Sequence, residues 1–281
     1  MNVVPAPGWD ELRERLLALR GTAVFVGRSD SGKSTLVRYL LGEVAAAGIP
    51  VALVDGDLGQ SFLGLPGSVS SRTFHAAPGH LDLRWDELSF LGAVSPVRVL
   101  SLLAAETARF ALRTRQEAAV TLVDTTGLVD GPLGRALKLA KLRAVDPQLV
   151  VAVNAGDELE PILGALPEER VVRVAPSPLV KRRSAQVRFR YRHARLAAYF
   201  HGSREKLLVT RRLVFIHHGK PVHPLFDPPE PGTVVGLNHQ GETRGLGVVS
   251  EADTDSLVVL TPLSSLRGID RVVLGDFSFS P

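Results

Sequence analysis

A chain of 281 residues that is 45% hydrophobic can build one large α/β domain and a smaller one. It contains no cysteine, which excludes disulfides and thiolate metal sites, and no run of about 18 apolar residues, which excludes a membrane-crossing helix. Its net charge of +4 is uneven: 13 Lys and Arg against the single acid Glu205 give +12 between Arg170 and Arg212, while the remainder nets −8, so a phosphate-bearing partner is expected beside that segment.

The first ten residues show no basic stretch followed by an apolar one, so a cytoplasmic protein without a secretory leader or membrane anchor is expected. Trp9, Leu12, Leu16 and Leu19 recur at helical spacing and predict a short amphipathic helix packed on the domain. From residue 22 to about 175, apolar strands alternate with helices. The strands are Thr22–Val26, Val51–Val54, Leu88–Leu91, Val120–Val123, Leu149–Val153 and Val171–Val174; the helices are Lys33–Ala47, Val97–Gln116, Leu133–Ala144 and Glu158–Leu163. Near-continuous apolar strands between helices predict a parallel sheet with helices on both faces. Ligands then bind at the carboxyl ends of the strands.

From Leu179 to Phe200 the chain reads as a basic helix ending at Gly202, an arginine-rich lid over about 179–202. Beyond it, short Val/Leu runs alternate with Gly, Pro and Asn turns, which predicts a small β-rich domain. The expected division is 1–204 and 205–281, with Pro221–Pro231 as a loop inside the second domain.

The loop after the first strand is Gly27-Arg28-Ser29-Asp30-Ser31-Gly32-Lys33-Ser34-Thr35, a complete G-x-x-x-x-G-K-[ST] phosphate-binding loop between a strand and a helix. Its backbone N–H groups and the helix N-terminus attract phosphate oxygens. Gly27, Ser29, Asp30, Ser31, Gly32, Lys33, Ser34 and Thr35 are the candidate nucleotide ligands. Lys33 is expected at the β- and γ-phosphates, and Ser34 at Mg²⁺. The protein handles a nucleoside triphosphate.

The second strand ends in Asp55-Gly56-Asp57-Leu58-Gly59-Gln60-Ser61. Phosphoryl transfer needs a group to accept the proton of the attacking hydroxyl, and a carboxylate near Mg²⁺ suits it. Asp55 and Asp57 are both candidates, with Gln60 and Ser61 placed to bind the acceptor. Val120–Val123 followed by Asp124 is the second nucleotide-site signature, so Ser34, Asp57 and Asp124 form the expected metal set. Gly127 stands where a γ-phosphate sensor glycine would. Asn154-Ala155-Gly156-Asp157 lacks the Lys of a guanine-reading motif and reads as a loop, with Asp157 capping the next helix. Arg188, Arg192 and Arg195 share a helix face near Arg182, Arg183 and Arg190. A guanidinium face unpaired by acids suits phosphate and developing phosphoryl charge. None of the eight histidines shows metal-ligand spacing, and His217 and His218 are expected on opposite faces of a strand.

Together these segments resemble the Clp1/Grc3-type polynucleotide 5′-hydroxyl kinases over roughly residues 20–203. The loop Gly27–Thr35 is similar to the family P-loop, Asp57-Leu58-Gly59-Gln60 to its Asp-Val-Gly-Gln, and Phe90-Leu91-Gly92 with Ser95-Pro96 to its Phe-x-Gly…[ST]-Pro loop. Arg183-Ser184, Arg188, Arg192 and Tyr199-Phe200 match the family lid. The resemblance implies ATP and Mg²⁺ held by Lys33 and Ser34, a 5′-hydroxyl activated by Asp57, and lid roles for Arg183, Arg188 and Arg192. It also implies an acceptor end lying near Asp55, Gln60, Ser61, Ser95 and Gly127, with RNA favoured over DNA. Two departures stand out: Leu128 replaces the aromatic that clasps the substrate end, and the N-terminal β-domain of eukaryotic members is absent, as in a minimal form. Two other readings compete. Arg28 occupies the signature Lys position of ParA/ArsA-type switch ATPases, and a scaffold could hold ATP without turnover.

Overall fold

The computed structural model describes residues 4–75, 82–153, 156–223 and 228–280. The chain runs through α1 (Trp9–Leu19), β1 (Thr22–Val26), α2 (Lys33–Ala46), β2 (Val51–Gly56), β3 (Ser68–Phe74), β4 (Glu87–Phe90), α3 (Leu100–Thr114), β5 (Val120–Thr125), α4 (Gly131–Val145), β6 (Leu149–Val153), α5 (Glu160–Leu163), β7 (Val171–Val174) and α6 (Ala185–Phe200). The first sheet has the order β4-β3-β2-β5-β1-β6-β7. Its strands β2, β5, β1, β6 and β7 are parallel.

Residue alternation along these strands supplies two apolar faces. Ala23 and Phe25 join α1 and α2 in one cluster with Leu36, Leu40 and Val44. Val24 and Val26 join the other, with Leu103 and Phe110 of α3, Leu137 of α4 and Ile162 of α5. Trp9 is wholly buried and its ring lies 5.4 Å from that of Tyr39. Leu19, expected on the same stripe, is exposed because Arg20 turns left-handed and ends the helix.

The β3–β4 edge departs from expectation. Leu88–Leu91 was expected among parallel strands; instead β4 pairs antiparallel with β3, which pairs antiparallel with β2. No helix connects β2 to β3, and a parallel pairing would need such a crossover. The strand β3, Ser-Val-Ser-Ser-Arg-Thr-Phe, escaped the sequence reading because three of its buried positions are serines.

The second sheet comprises β8 (Arg204–Val209), β9 (Val214–His217), β10 (Lys220–Val222), β11 (Thr233–His239), β12 (Glu242–Ala252), β13 (Ser256–Thr261) and β14 (Arg271–Ser278), in the order β10-β9-β14-β11-β12-β13-β8. Pro221 and Val222, expected in a loop, lie in β10 at the sheet edge, where a missing N–H is tolerated.

The basic helix is shorter than the sequence predicts. It starts at Ala185, because Ser184 caps it by accepting from Val187 N–H at 3.2 Å; residues 179–184 are non-helical. Its last turns are rooted between the sheets: Leu196 and Phe200 join Leu65, Leu88 and Phe90 with Val234, Leu246, Val273 and Phe279. No described helix is long and apolar enough to cross a membrane.

The sheets also meet at Gly92, which has φ +79° and whose carbonyl accepts from Asp276 N–H at 2.6 Å. A Cβ there would lie 2.3 Å from the Leu274 carbonyl oxygen. Gly92→Ala should therefore destabilise the protein by roughly 2–4 kcal/mol in urea unfolding. Gly42→Ala, inside α2 with open space around it, should stabilise it by about 0.5–1 kcal/mol.

Candidate active site

Thr22 and the four apolar residues after it are all buried in β1, which delivers the chain to the loop at residues 27–32. Gly32, at φ +84°, turns the loop into α2, and Asp30 also takes a left-handed conformation, φ +59°. The first turn of α2 then carries Lys33 and Ser34 inward. Because β5 is the neighbour of β1, its terminal carboxylate meets them: Ser34 Oγ donates to Asp124 Oδ2 at 2.5 Å, and Lys33 Nζ lies 3.9 Å from Asp124 Oδ1. Burial pushes the Asp124 carboxyl up, with Lys33 and Ser34 pulling against it.

The two candidate bases have different surroundings. Asp55 is wholly buried beside Asp124 in the β2–β5 register. Its Oδ2 accepts from Ser61 Oγ and from the N–H groups of Phe62 and Leu63 at 2.8–3.0 Å, and its Oδ1 accepts from Asp57 N–H at 3.1 Å. Burial and the Asp124 charge push it up to about 6 against those N–H bonds. Asp55 and Ser61, expected at the acceptor, lie outside the cleft and fold the loop behind it. Asp57 lines the cleft, with Oδ1 accepting from the N–H groups of Gly59 and Gln60 at 3.0 and 3.1 Å.

The cleft, about 460 Å³, brings together Ser29, Asp30, Ser31, Gly32, Lys33, Ser34 and Thr35 with Asp57, Gln60, Ser95, Gly127, Arg183, Arg188 and Arg192. Gly27 underlies it: a Cβ there would fall 2.6 Å from Ser31 Oγ. Gly127 abuts the loop so closely that a Cβ would sit 2.4 Å from Ser29 N.

The N-terminal part of α6 roofs the cleft. Arg188 Nη2 pairs with Asp30 Oδ2 at 2.6 Å, the Arg183 N–H donates to the same oxygen at 3.0 Å, and Arg183 Nη1 donates to Gln60 Oε1 at 3.3 Å. Burial, then Arg188, pulls the Arg192 guanidinium below its usual range. Arg195, expected to share this face, instead donates to the carbonyls of Leu63 and Gly64, outside the cleft. Tyr191 donates to the Ser61 carbonyl at 2.8 Å, and Arg38, Phe62 and Leu128 also line the cleft.

Three polar atoms of cleft residues are buried without a partner: Ser31 Oγ, Thr126 Oγ1 and Arg188 Nε. Unsatisfied buried donors and acceptors are costly, and a polyoxyanion entering here would satisfy them. The residues present therefore fit a nucleotide phosphate chain and its Mg²⁺.

Two further residues escaped the sequence reading. Lys138 and Lys141 lie among the apolar positions of α4, and both are fully buried. Lys138 Nζ donates to Thr125 Oγ1 at 2.8 Å and to the Thr126 carbonyl; Lys141 Nζ donates to the Gly56 carbonyl at 3.4 Å. Lysines at two positions of an apolar helical stripe were the available signal. Burial, aided by Lys141 and Lys33, pushes Lys138 well down, and burial pushes Lys141 down to about 8 against the pull of Asp57, Asp124 and Asp55.

Elsewhere, Asp157 does not cap with its side chain, since α5 starts at Glu160 with Leu159 as its cap residue; Asn154 and Ala155 lie outside the described residues. His217 and His218 do not point apart. His218 leaves the strand at φ +48° and both rings converge on Asp276.

The family model described as the P-loop of the mRNA cleavage and polyadenylation factor CLP1 matches residues 27–202. The chain belongs to the Clp1 P-loop family. Among Clp1-type relatives, a polyribonucleotide 5′-hydroxyl-kinase of Pyrococcus horikoshii is 30% identical over 218 residues, covering 74% of this chain and 59% of the relative. The corresponding Thermococcus kodakarensis protein is 32% identical over 214 residues, 72% and 59%. A protein CLP1 homolog of Arabidopsis thaliana is 29% identical over 203 residues, 66% and 44%. The chain thus spans 59% of the length of these archaeal relatives. The solved structure of Clp1p bound to a Pcf11p fragment aligns with a TM-score of 0.77 at 13% identity, over 99% of this chain and 81% of that one, which shows the shared fold. Membership of this P-loop family implies nucleotide use.

The depressed Lys141 ammonium gives a pH test. Its folded value, about 8, lies below the ordinary 10.5, so between these limits the unfolded chain holds the extra proton and stability rises with pH. The stability of the protein relative to its Lys141→Met variant should rise by on the order of 2–3 kcal/mol from pH 8 to pH 10.5, measured by guanidinium unfolding without metal.

Proposed function

We propose that this chain transfers the γ-phosphoryl group of ATP to the 5′-hydroxyl end of a polynucleotide, RNA in preference to DNA, in RNA processing or repair. The single observation that carries the reading is that Asp57 lines the same cleft as the phosphate loop and Arg183, Arg188 and Arg192. A phosphate-binding loop alone serves hydrolysis or switching equally well. A carboxylate that shares the cleft with Lys33, Gln60 and Ser95 supports an acceptor site. The names of the archaeal relatives support RNA as the acceptor.

In this reading the 5′ oxygen attacks the γ-phosphorus, its proton passes to Asp57, and the bond to the bridging oxygen breaks to release ADP. The N–H groups of Gly59 and Gln60, held on Asp57 Oδ1, fix that carboxylate in place. Lys33 binds the phosphate chain, and Arg183, Arg188 and Arg192 neutralise charge on the moving group. Gln60, Ser95 and Gly127 border the acceptor end. Ser34, Asp57 and Asp124 would hold Mg²⁺, which would neutralise phosphate charge. The switch reading gains nothing from Arg28, which is exposed and paired with Asp130 of its own chain at 2.6 Å. We place the reaction in the cytoplasm, in keeping with a chain that uses no cysteine.

The test is incubation with γ-labelled ATP, Mg²⁺ and matched 5′-OH RNA and DNA oligonucleotides. Label on the RNA end, with less on DNA, is expected; ATP hydrolysis with no labelled end would contradict the reading. Lys33→Ala should lower transfer by at least about 10²-fold. Asp57→Asn should lower it by about 10²–10⁴-fold while leaving ATP affinity nearly unchanged; an unaltered rate would remove Asp57 as the base.

A further inference from the structure

We propose that His217, His218 and Asp276 bind one divalent transition-metal ion, zinc foremost, that clamps the β9–β10 hairpin to β14. The site is separate from the nucleotide cleft, since none of its three residues lines that cleft.

Backbone geometry brings the three side chains together. In the parallel pairing of β9 with β14, His217 stands opposite Leu274. Asp276 lies two residues further along β14, so its side chain is on the same face as His217. His218 would point to the other face if it continued the strand. Its left-handed φ of +48°, followed by Gly219 at +77°, makes the tight turn into β10 and swings the ring back. Turns with two positive φ values favour Asn, Asp and Gly.

The donor atoms converge. His217 Nε2 lies 2.8 Å and His218 Nε2 2.7 Å from the same oxygen, Asp276 Oδ1. The two rings are stacked with centroids 3.9 Å apart. All three donor atoms lie within 4.8 Å of one another. A tetrahedral zinc ion with ligand distances of about 2.0–2.2 Å sets its donors roughly 3.3–3.5 Å apart. Insertion therefore requires each imidazole to retreat by about 0.6 Å from that oxygen, within the reach of side-chain rotation at these half-buried residues. Water would complete the coordination.

The donor set selects the metal. Two imidazoles and one carboxylate suit Zn²⁺, Ni²⁺, Co²⁺ or Cu²⁺, whereas Mg²⁺ prefers oxygen ligands only. The carboxylate is oriented from behind: Asp276 N–H donates to the Gly92 carbonyl at 2.6 Å, and Arg98 Nη1 stands 4.0 Å from Oδ2, leaving Oδ1 to the histidines. Outer partners of this kind hold a ligand in place. Gly219 rests against Leu102 of α3, where a Cβ would fall 2.8 Å from the Leu side chain. An ion here would join the hairpin, β14 and the 92–98 segment, whose Ser95 and Pro96 border the cleft.

The test uses the full chain, stripped with chelator and titrated with Co²⁺ and then Zn²⁺ in excess Mg²⁺, which saturates the oxygen sites. Expected are one Co²⁺ per chain with the intense visible bands of a low-coordinate nitrogen/oxygen site, bleached by one equivalent of Zn²⁺, and a Zn²⁺-dependent rise in Tm. Asp276→Asn should weaken binding by at least about tenfold, and the double variant His217→Ala/His218→Ala should abolish both signals. Far-UV circular dichroism confirms folding; if the double variant does not fold, the single variant His217→Gln takes its place. No stoichiometric binding, or binding unchanged in the variants, overturns the proposal.

Discussion

The hydrogen bond from Ser34 to Asp124 is the constraint on which the rest depends. It joins the first turn of α2 to the end of β5 and sets Lys33 against the same carboxylate. An acid buried this deeply would be costly alone, because desolvation penalises its charged form. It is held by Lys33, by the Ser34 hydroxyl and by the Thr125 N–H, with the buried amines of Lys141 and Lys138 close by. Asp57 and Asp55 also lie within electrostatic reach of the Lys141 amine. The result is a buried network of opposite charges rather than one ion pair, and networks hold position more firmly than pairs. A phosphate chain and its metal would enter a field already organised.

The roof follows from a second carboxylate. Asp30 lies in the phosphate loop, yet its side chain holds Arg188 at 2.6 Å and the N–H of Arg183 at 3.0 Å. A carboxylate is a fair substitute for a phosphate edge, since both present paired oxygens to a guanidinium. The closed roof of this structure is thus stabilised by a protein anion in the region where nucleotide oxygens are expected. Leu196 and Phe200 anchor the other end of α6 between the sheets. The helix is thus fixed at one end in an apolar core and held at the other by ionic contacts.

Much of the fold was legible because burial on both faces writes long apolar runs. Thr22–Val26, Leu149–Val153 and Val171–Val174 have the bounds the sequence predicts. The phosphate loop was legible because its spacing is a covalent requirement of its geometry. The serines of β3 carried no such signal, since Ser68 satisfies its hydroxyl on Leu65 and thereby hides a buried strand behind polar residues. The start of α6 depended on a cap at Ser184 that only the three-dimensional contact reveals. Asp55 and Asp57 could not be separated in sequence; the Ser61 hydroxyl and the backbone N–H groups of Phe62 and Leu63 distinguish them by claiming Asp55. Lys138 and Lys141 were missed because a helix range alone does not say which of its positions turn toward buried carbonyls. His218 was misplaced because a strand reading gives no warning of a left-handed turn.

The most direct measurement is a crystal structure of the protein with a non-hydrolysable ATP analogue, Mg²⁺ and a short 5′-hydroxyl oligoribonucleotide. The account predicts the 5′ oxygen within hydrogen-bond reach of the Asp57 carboxylate, about 2.6–3.2 Å, in line with the γ-phosphorus, with Arg188 transferred from Asp30 to phosphate. An oligonucleotide end bound away from Asp57, or a γ-phosphate facing only water, would contradict it.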